Sequence, residues 1–433
     1  MREGSTVVEG KKKFRLPLAM QIFIALVLGI IAGLSLQNHS DIAVGYIKPI
    51  GTIFLNLLKF IVVPIVLFSI LSGVISMKDI KKVGSIGLKT VIYYMCTTAL
   101  AIIIGLAGGN LFKGFFPILE TTELSYQAAE STPIMDTIVN IFPSNFIAPL
   151  SEATMLQVIV MALLIGFAII LVGDEAMPAV KVINSFNTIF MKVMELILQL
   201  SPVGVFCLIC PVIAVNGAAV IGSLAMVILT AYVCYLFHML VVYSLAVRTM
   251  GGLSPLKFLK GQFPAMIFAF SSASSVGTLP INMQGCEKMG ADEEVISFVL
   301  PLGATINMDG TAIYQGVCAI FIAACYGIEL TLPQIVTIVL TATLASIGTA
   351  GVPGAGMVML AMVLSSVGLP LDGIALVAGV DRIFDMGRTV VNITGDASCA
   401  IIVSNLERKR QERRLWGMES KNAFKNHADP VKH

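Results

Sequence analysis

The chain has 433 residues, of which 57% are hydrophobic and only 12% charged, with a mean hydropathy of +0.90. Soluble domains carry about 25% charged residues, so this composition excludes an ordinary water-soluble globular protein and identifies a polytopic integral membrane protein. The balance of 28 Lys and Arg against 26 Asp and Glu, with no single basic patch, gives no sign of nucleic-acid binding.

Apolar runs of spanning length occupy 16–36, 47–76, 86–110, 150–173, 182–214 and 220–247, and a more interrupted half follows from 254 to 404. A basic start (Arg2, Lys11, Lys12, Lys13, Arg15) precedes the first run, but its length and the lack of a small-residue cleavage site fit a retained helix rather than a signal peptide. Lys78, Lys81, Lys82 and Lys89 follow the second run, whereas the 112–149 connection carries Glu120, Glu123, Glu130 and Asp136. The positive-inside rule therefore predicts a cytoplasmic N-terminus, a cytoplasmic 77–89 loop and an external acidic connection. The tail, with Arg408, Lys409, Arg410, Arg413 and Arg414, is predicted cytoplasmic as well, which requires an even number of crossings. It reads as a helical extension that frays.

Most of the cysteines fall within apolar segments, and the Cys207-x-x-Cys210 pair has no second pair, so neither a disulfide framework nor a metal site is expected. His238 stands alone on an apolar helix and reads as a packing residue.

Two small-residue segments break the second half: Ser271-Ser-Ala-Ser-Ser-Val-Gly-Thr-Leu-Pro280 and Ala345-Ser-Ile-Gly-Thr-Ala-Gly-Val-Pro-Gly-Ala-Gly356. Each belongs to an apolar stretch (254–291 and 332–368) that is followed by a spanning segment with a polar interior (294–326 and 371–404). Such paired units suggest repeats whose helices break at the midplane, where free backbone groups can bind substrate and ions. Simple small-residue packing explains the glycines but not the paired prolines and flanking acids.

In the first unit, Asn307 and Asp309 supply hard oxygen ligands of the kind alkali and alkaline-earth cations prefer, and Gly310 is expected to permit a local unwinding. A cation would supply the counter-charge that Asp309 needs at this depth; a protonated Asp hydrogen-bonded to a neighbouring helix is the alternative. In the second unit, Asp381, Asp385, Arg388, Asn392 and Asp396 recur at helical spacing and fall within roughly 80° of arc. Ionisable groups at membrane depth cost at least ~2.5–3.5 kcal/mol each, so a stripe of them marks a ligand site. No repeated filter loop suggests a channel. The serines near 271–275 have no histidine base close in sequence, which argues against an intramembrane hydrolase and leaves a transporter, not an enzyme.

The Gly277-Thr-Leu-Pro280 tip, Asn307-Met-Asp309-Gly-Thr311, Gly351-Val-Pro-Gly-Ala-Gly356 and Asp385-Met-Gly-Arg388-Thr389 with Asn392 and Asp396 together resemble the dicarboxylate/amino acid:cation symporter family, the glutamate transporter homologues, over essentially the whole chain. The resemblance implies an all-α protein with eight transmembrane helices, two re-entrant helical hairpins and inverted repeats, working as a homotrimeric elevator in the plasma (inner) membrane. Its implied parts are a cytoplasmic N-terminus (1–15), scaffold helices one and two (16–76) and the third helix of the transport domain (77–111). The external loop with scaffold helices four and five (112–219), the rest of the transport domain (220–404) and a cytoplasmic tail (405–433) complete the chain.

By the same resemblance, the substrate is an acidic amino acid, glutamate or aspartate, bound by Ser274, Ser275, Thr311, Val352, Gly356, Asp385, Arg388, Thr389 and Asn392. Arg388 would grip the side-chain carboxylate bidentately, and Asp385 would take the α-ammonium. The implied sodium ligands are Asn307, Asn392 and Asp396 with the Gly303 carbonyl; main-chain oxygens of Thr305, Ser346, Ile347 and Thr349; and Tyr94, Thr97 and Thr98 with Asn307 and Asp309. Met308 would sit between ion and substrate sites. No cofactor is implied; sodium is cargo. Gln315 stands where proton-cotransporting animal relatives carry a glutamate, which favours sodium over proton coupling. The alternatives are proton coupling, or a neutral amino acid or C4-dicarboxylate carrier of the same family.

Two positions depart from the family pattern. Some members place an arginine on the first tip to pair with the acid at position 381, but here that residue is Ala273, so the partner of Asp381 is left open, with adjacent Arg382 about 100° away around the helix. The third serine of the tip is replaced by Val276.

Overall fold

The computed structural model describes residues 18–76, 85–116, 139, 142–217, 219–348 and 355–427, and every regular element among them is helical. The N-terminal basic cluster, Lys78, Lys81, Lys82 and the acids at 120, 123, 130 and 136 lie outside the described residues, so the loop charges used for topology are not placed. Six helical segments among the described residues are long and apolar enough to cross a membrane.

The helices longer than ten residues are α1 (Leu18–Ser35), α2 (Lys48–Ser76), α3 (Ser85–Phe112), α4 (Met155–Val172), α5 (Met177–Gln199), α6 (Ser201–Asn216) and α7 (Ala219–Phe237). After them come α8 (Pro255–Ser272), α9 (Ser275–Lys288), α10 (Glu293–Ile306), α11 (Asp309–Cys325), α12 (Leu332–Ala345), α13 (Ala355–Ser366) and α14 (Asp381–His427). The apolar run 182–214 is two helices instead of one: α5 ends at Leu200, and Pro202, in the first turn of α6, has no amide to continue the ladder. The tail is helical to His427.

Both broken segments form helix pairs that include a helix too short to span. At 1.5 Å per residue, the 14 residues of α9 and of α12 reach only about 21 Å, against a hydrocarbon core of ~30 Å. Between α8 and α9 the chain turns at Ala273, whose φ of 51° is left-handed, and Ser274, whose side chain accepts from the Gly277 amide to cap α9. A capping box of Thr331 and Gln334 starts α12. Polar caps at these starts satisfy amides that lipid cannot.

The packing falls into two groups. Helices α1, α2, α4, α5 and α6 pack on one another, while α14 packs against α8, α9, α10 and α11, and α11 packs along α3. The α12–α13 pair bridges the groups, resting on α2 and α4. All of the apolar window in Glu293–Cys325 is buried, against 33% in Gln157–Gln199, so the polar break between α10 and α11 lies at the centre of the molecule.

Helices α3 and α11 cross with their backbones in contact: a Cβ on Gly316 would stand 2.8 Å from the Leu106 amide nitrogen and 2.9 Å from the Ile102 carbonyl oxygen. Gly316→Val should therefore cost about 1–3 kcal/mol by overpacking and lower the thermal unfolding midpoint of detergent-purified protein. Gly222→Ala, at a site with nothing within 4 Å, should be neutral or slightly stabilising.

Candidate functional site

The polar stripe of α14 faces inward. Asp381, Asp385, Arg388, Thr389, Asn392 and Asp396 are all buried. Around Arg388 the charges are paired within the helix: Nη1 donates to Asp381 Oδ1 at 2.9 Å, and Nε donates to Asp385 Oδ1 at 2.8 Å. The Tyr314 ring lies beneath, its centroid 4.9 Å from Cζ, within cation–π range. The partner of Asp381 is thus Arg388, seven residues along the same helix. The first residue of that pair is also the first of α14, where the helix dipole favours an acid.

Arg382, which helical phase sets apart from the stripe, still reaches the site through its long side chain. Its Nη1 lies 3.7 Å from Asp385 Oδ2, and its Nη2 donates to the carbonyls of Ser271 and Ser272 at 3.4 and 3.3 Å. It therefore caps the open C-terminus of α8 and ties the first hairpin tip to α14.

At the second tip, a Cβ on Gly356 would collide with the Arg388 guanidinium, so the start of α13 lies directly on that group and a side chain there would displace it. Val352 and Thr349, both expected ligands, lie outside the described residues. On the first tip Ser275 is buried and Ser274 is committed to its capping bond. Thr389 donates to the Asp385 carbonyl of its own helix, and Thr311 to Met308 Sδ at 3.8 Å.

Deeper along α14, the break between α10 and α11 supplies the oxygens. Asn307 (ψ 100°) and Met308 (φ −121°) leave the helical conformation. Gly310 is not the unwound residue, because it already lies in α11. It serves close approach, since a Cβ there would strike the backbone of Arg388 on α14. Asn307 Nδ2 donates to the Asn392 carbonyl at 2.8 Å and to Asp396 Oδ1 at 2.9 Å, and the Gly310 amide donates to Asn392 Oδ1 at 2.8 Å. Asn392 Nδ2 meets Met308 Sδ at 3.3 Å. Gly303 abuts the Tyr94 hydroxyl and the Asp396 carboxylate. Asn307 Oδ1 is buried with no hydrogen-bond partner, an acceptor that only a cation or water can satisfy.

Asp309 accepts from Thr98 through Oδ1 at 2.6 Å and from the Tyr243 hydroxyl through Oδ2 at 2.7 Å, and His238 Nε2 lies 3.3 Å from the same Oδ2. Its charge is therefore met by donors from α3 and from the helix that continues α7. His238 is part of this cluster as well as packed against Tyr243. An α-helical count puts His238 and Tyr243 roughly 140° apart. The segment His238–Tyr243 is a π-helix, whose i→i+5 winding brings both to Asp309. Tyr94 donates to the Val299 carbonyl, and Thr97 to the Tyr94 carbonyl. Ser346 and Ile347 follow α12 in a short 3-10 turn packed against α10, whereas the Thr305 side chain is exposed. Gln315 is buried with its Nε2 unpartnered.

Among the described residues no three His, Cys, Asp or Glu side chains converge as a metal site, and all eight cysteines are free thiols. What the core offers is a guanidinium beside two carboxylates, next to a cluster of amide, hydroxyl and carboxylate oxygens suited to a hard monovalent cation.

A model described as the sodium:dicarboxylate symporter family matches residues 18–406. The proton/glutamate-aspartate symporter of Escherichia coli (strain K12) is 37% identical over 424 residues, covering 94% of this chain and 97% of that protein. The proton/sodium-glutamate symport protein of Bacillus caldotenax is 36% identical over 409 residues, 92% of this chain and 97% of that protein. A C4-dicarboxylate transport protein of Bacillus subtilis (strain 168) is 31% identical over 405 residues, 91% of this chain and 94% of that protein. With matches that run through every helix of the site, the chain belongs to the sodium:dicarboxylate symporter family.

Proposed function

We propose that this membrane protein is a secondary active symporter that takes up an acidic amino acid, glutamate or aspartate, together with sodium ions. The observation that carries the reading is Arg388 held between Asp381 and Asp385 in a buried site under Gly356. A substrate carboxylate would take the guanidinium face that an acid now holds, and the freed Asp385 would bind the α-ammonium. A dicarboxylate has no ammonium and would leave Asp385 among anions, which favours an amino acid over succinate. The Escherichia coli and Bacillus caldotenax relatives carry glutamate in their names, in line with this choice.

Charge supports the cation coupling. Counted as ionised, Asp309, Asp381, Asp385 and Asp396 stand against Arg382 and Arg388, a formal excess of two negative charges. A singly negative amino acid deepens that excess to three, and a buried excess of this kind needs neutralising ions close by, about three if they are monovalent. The oxygen cluster around Asn307, Asn392, Asp396, Asp309, Tyr94 and Thr98 is the place for them. Backbone oxygens of Gly303, Thr305, Ser346, Ile347 and Thr349 would add further ligands.

The two packing groups support an elevator, with α1, α2 and α4–α6 as scaffold and α3 with α7–α14 as the moving unit. Between them the α12–α13 pair rests on α2 and α4, and it lines with α2 and α5 a cavity of mostly apolar side chains such as Ile65, Val66, Met191, Ala345 and Val358, a surface suited to sliding. A homotrimer with both termini in the cytoplasm completes the proposal. Proton coupling is the second reading, favoured by the name of the Escherichia coli relative, whereas the Bacillus caldotenax relative's name carries both proton and sodium.

Arg388→Ala should abolish aspartate binding by several kcal/mol, because it leaves a substrate carboxylate and two aspartates desolvated without a partner. Wild-type affinity in that variant, measured by calorimetry, would show the site to be elsewhere. Asp309→Asn and Asp396→Asn should raise the sodium concentration needed for half-maximal uptake and weaken substrate only through linkage, while Asp385→Asn should do the reverse. Equal effects of all three on the sodium constant at saturating substrate would remove these separate roles. For the driving ion, with roughly three sodium ions per anion, about two net charges move inward, adding roughly 4.6 kcal/mol of drive at 100 mV. Uptake into liposomes should then be electrogenic and sodium-dependent. Robust uptake driven by a pH gradient in sodium-free buffer, unchanged by added sodium, would select proton coupling instead.

A further inference from the structure

Along the charged part of α14, Leu406, Lys409, Arg410 and Arg413 recur at spacings of three, one and three, which places them within about 100° of helical arc. This stripe faces the beginning of α3, and with Lys89 it lines a cavity of about 370 Å³. Four cations therefore converge there against one carboxylate. Glu407 sits 2.7 Å from Lys89 Nζ and 3.7 Å from Arg410 Nη1, so a single acid is shared by two of the bases. Lys409 and Arg413 have no ion pair or hydrogen bond among the described residues. Glu412 lies about 60° outside the stripe. The neighbouring Arg408 is not part of the site, because it turns the other way to bind Asp292 at 2.6 Å and the Gly290 carbonyl.

An uncompensated basic cavity attracts an anion, and its surroundings say which kind. Leu406 forms the apolar edge of the cavity, and beside Lys89 on α3 the side chains of Leu88 and Ile92 are 62% and 54% exposed. Phosphate chemistry at the mouth and an apolar helix face leading away from it match a diacyl phospholipid, head and tail together. A free phosphate would use the cations and leave the apolar face unexplained.

We infer that Lys89, Lys409, Arg410 and Arg413 form a binding site for the phosphate of an anionic phospholipid in the cytoplasmic leaflet, with an acyl chain lying on α3. The site belongs to the proposed moving unit, so lipid bound there ties the cytoplasmic end of α14 to the membrane surface. The inference rests on the membrane orientation proposed above and not on the identity of the transported substrate.

The test is retention of phosphatidylglycerol by purified protein in phosphatidylcholine mixed micelles, read by native mass spectrometry. Lys409→Gln with Arg413→Gln should weaken retention about thirtyfold, as expected for loss of two cations near the surface. Arg413→Gln alone, at an exposed position, should give roughly a fivefold loss and guards against misfolding of the double variant. Lys257→Gln with Lys260→Gln removes the same charge from exposed residues at the start of α8 and should retain lipid as the wild type does. Millimolar inorganic phosphate should not displace the lipid. Unchanged retention in the site variants, an equal loss in the control, or displacement by inorganic phosphate would each overturn the inference; the last would mark a small-anion site.

Discussion

A guanidinium buried in the middle of a membrane protein must stay paired, and that constraint organises the rest of this structure. Arg388 is held at 2.8 and 2.9 Å by carboxylates one turn and two turns before it on the same helix, Asp385 and Asp381. Removing one partner from a buried pair typically costs 3–5 kcal/mol, so exchange of partners is allowed while loss of a partner is not. A substrate that brings its own carboxylate and its own ammonium can replace one of these pairings and satisfy the acid it displaces. The surrounding helices carry glycine where they meet Arg388, Gly310 against its backbone and Gly356 against its guanidinium.

The broken helices would answer the proposed need for oxygen ligands near the same charges. An intact α-helix hides its carbonyls in its own ladder. Interrupting α10 and α11 at Asn307 and Met308 frees backbone groups and aims the Asn307 amide at Asp396 and at the Asn392 carbonyl. Such a break survives only where water and lipid are kept away, and the segment that contains it is the most enclosed of the six spanning candidates. The proposed substrate and ion sites would share Asn392: its side chain accepts from Gly310, and its carbonyl accepts from Asn307. Filling either proposed site would then move groups the other depends on, a physical basis for coupled binding.

The stripe 381–385–388–392–396 is legible from sequence because helical phase alone places those residues together, and the structure keeps them on one buried face. The two broken helix pairs are legible from two Ser- and Gly-rich interruptions that leave short helical segments. Side-chain reach and irregular winding are harder to read. Arg382 is out of phase with the stripe yet spans the gap with its long side chain to reach Ser271, Ser272 and Asp385. His238 and Tyr243 meet at Asp309 only because a π-helical turn changes the phase between them, which an α-helical count cannot anticipate. Gly310 reads as a helix breaker, but its role depends on how near another backbone comes, which is a tertiary fact.

The central claim is that Asp385 and Arg388 together select a substrate with both an ammonium and a second carboxylate. Competition at equilibrium tests it most directly: labelled aspartate bound to the purified protein at saturating sodium, challenged with unlabelled aspartate and with succinate. The account predicts that unlabelled aspartate displaces the label and that succinate at the same concentration leaves it bound. Displacement by succinate as effective as that by aspartate would contradict it, since the ammonium would then contribute nothing to recognition.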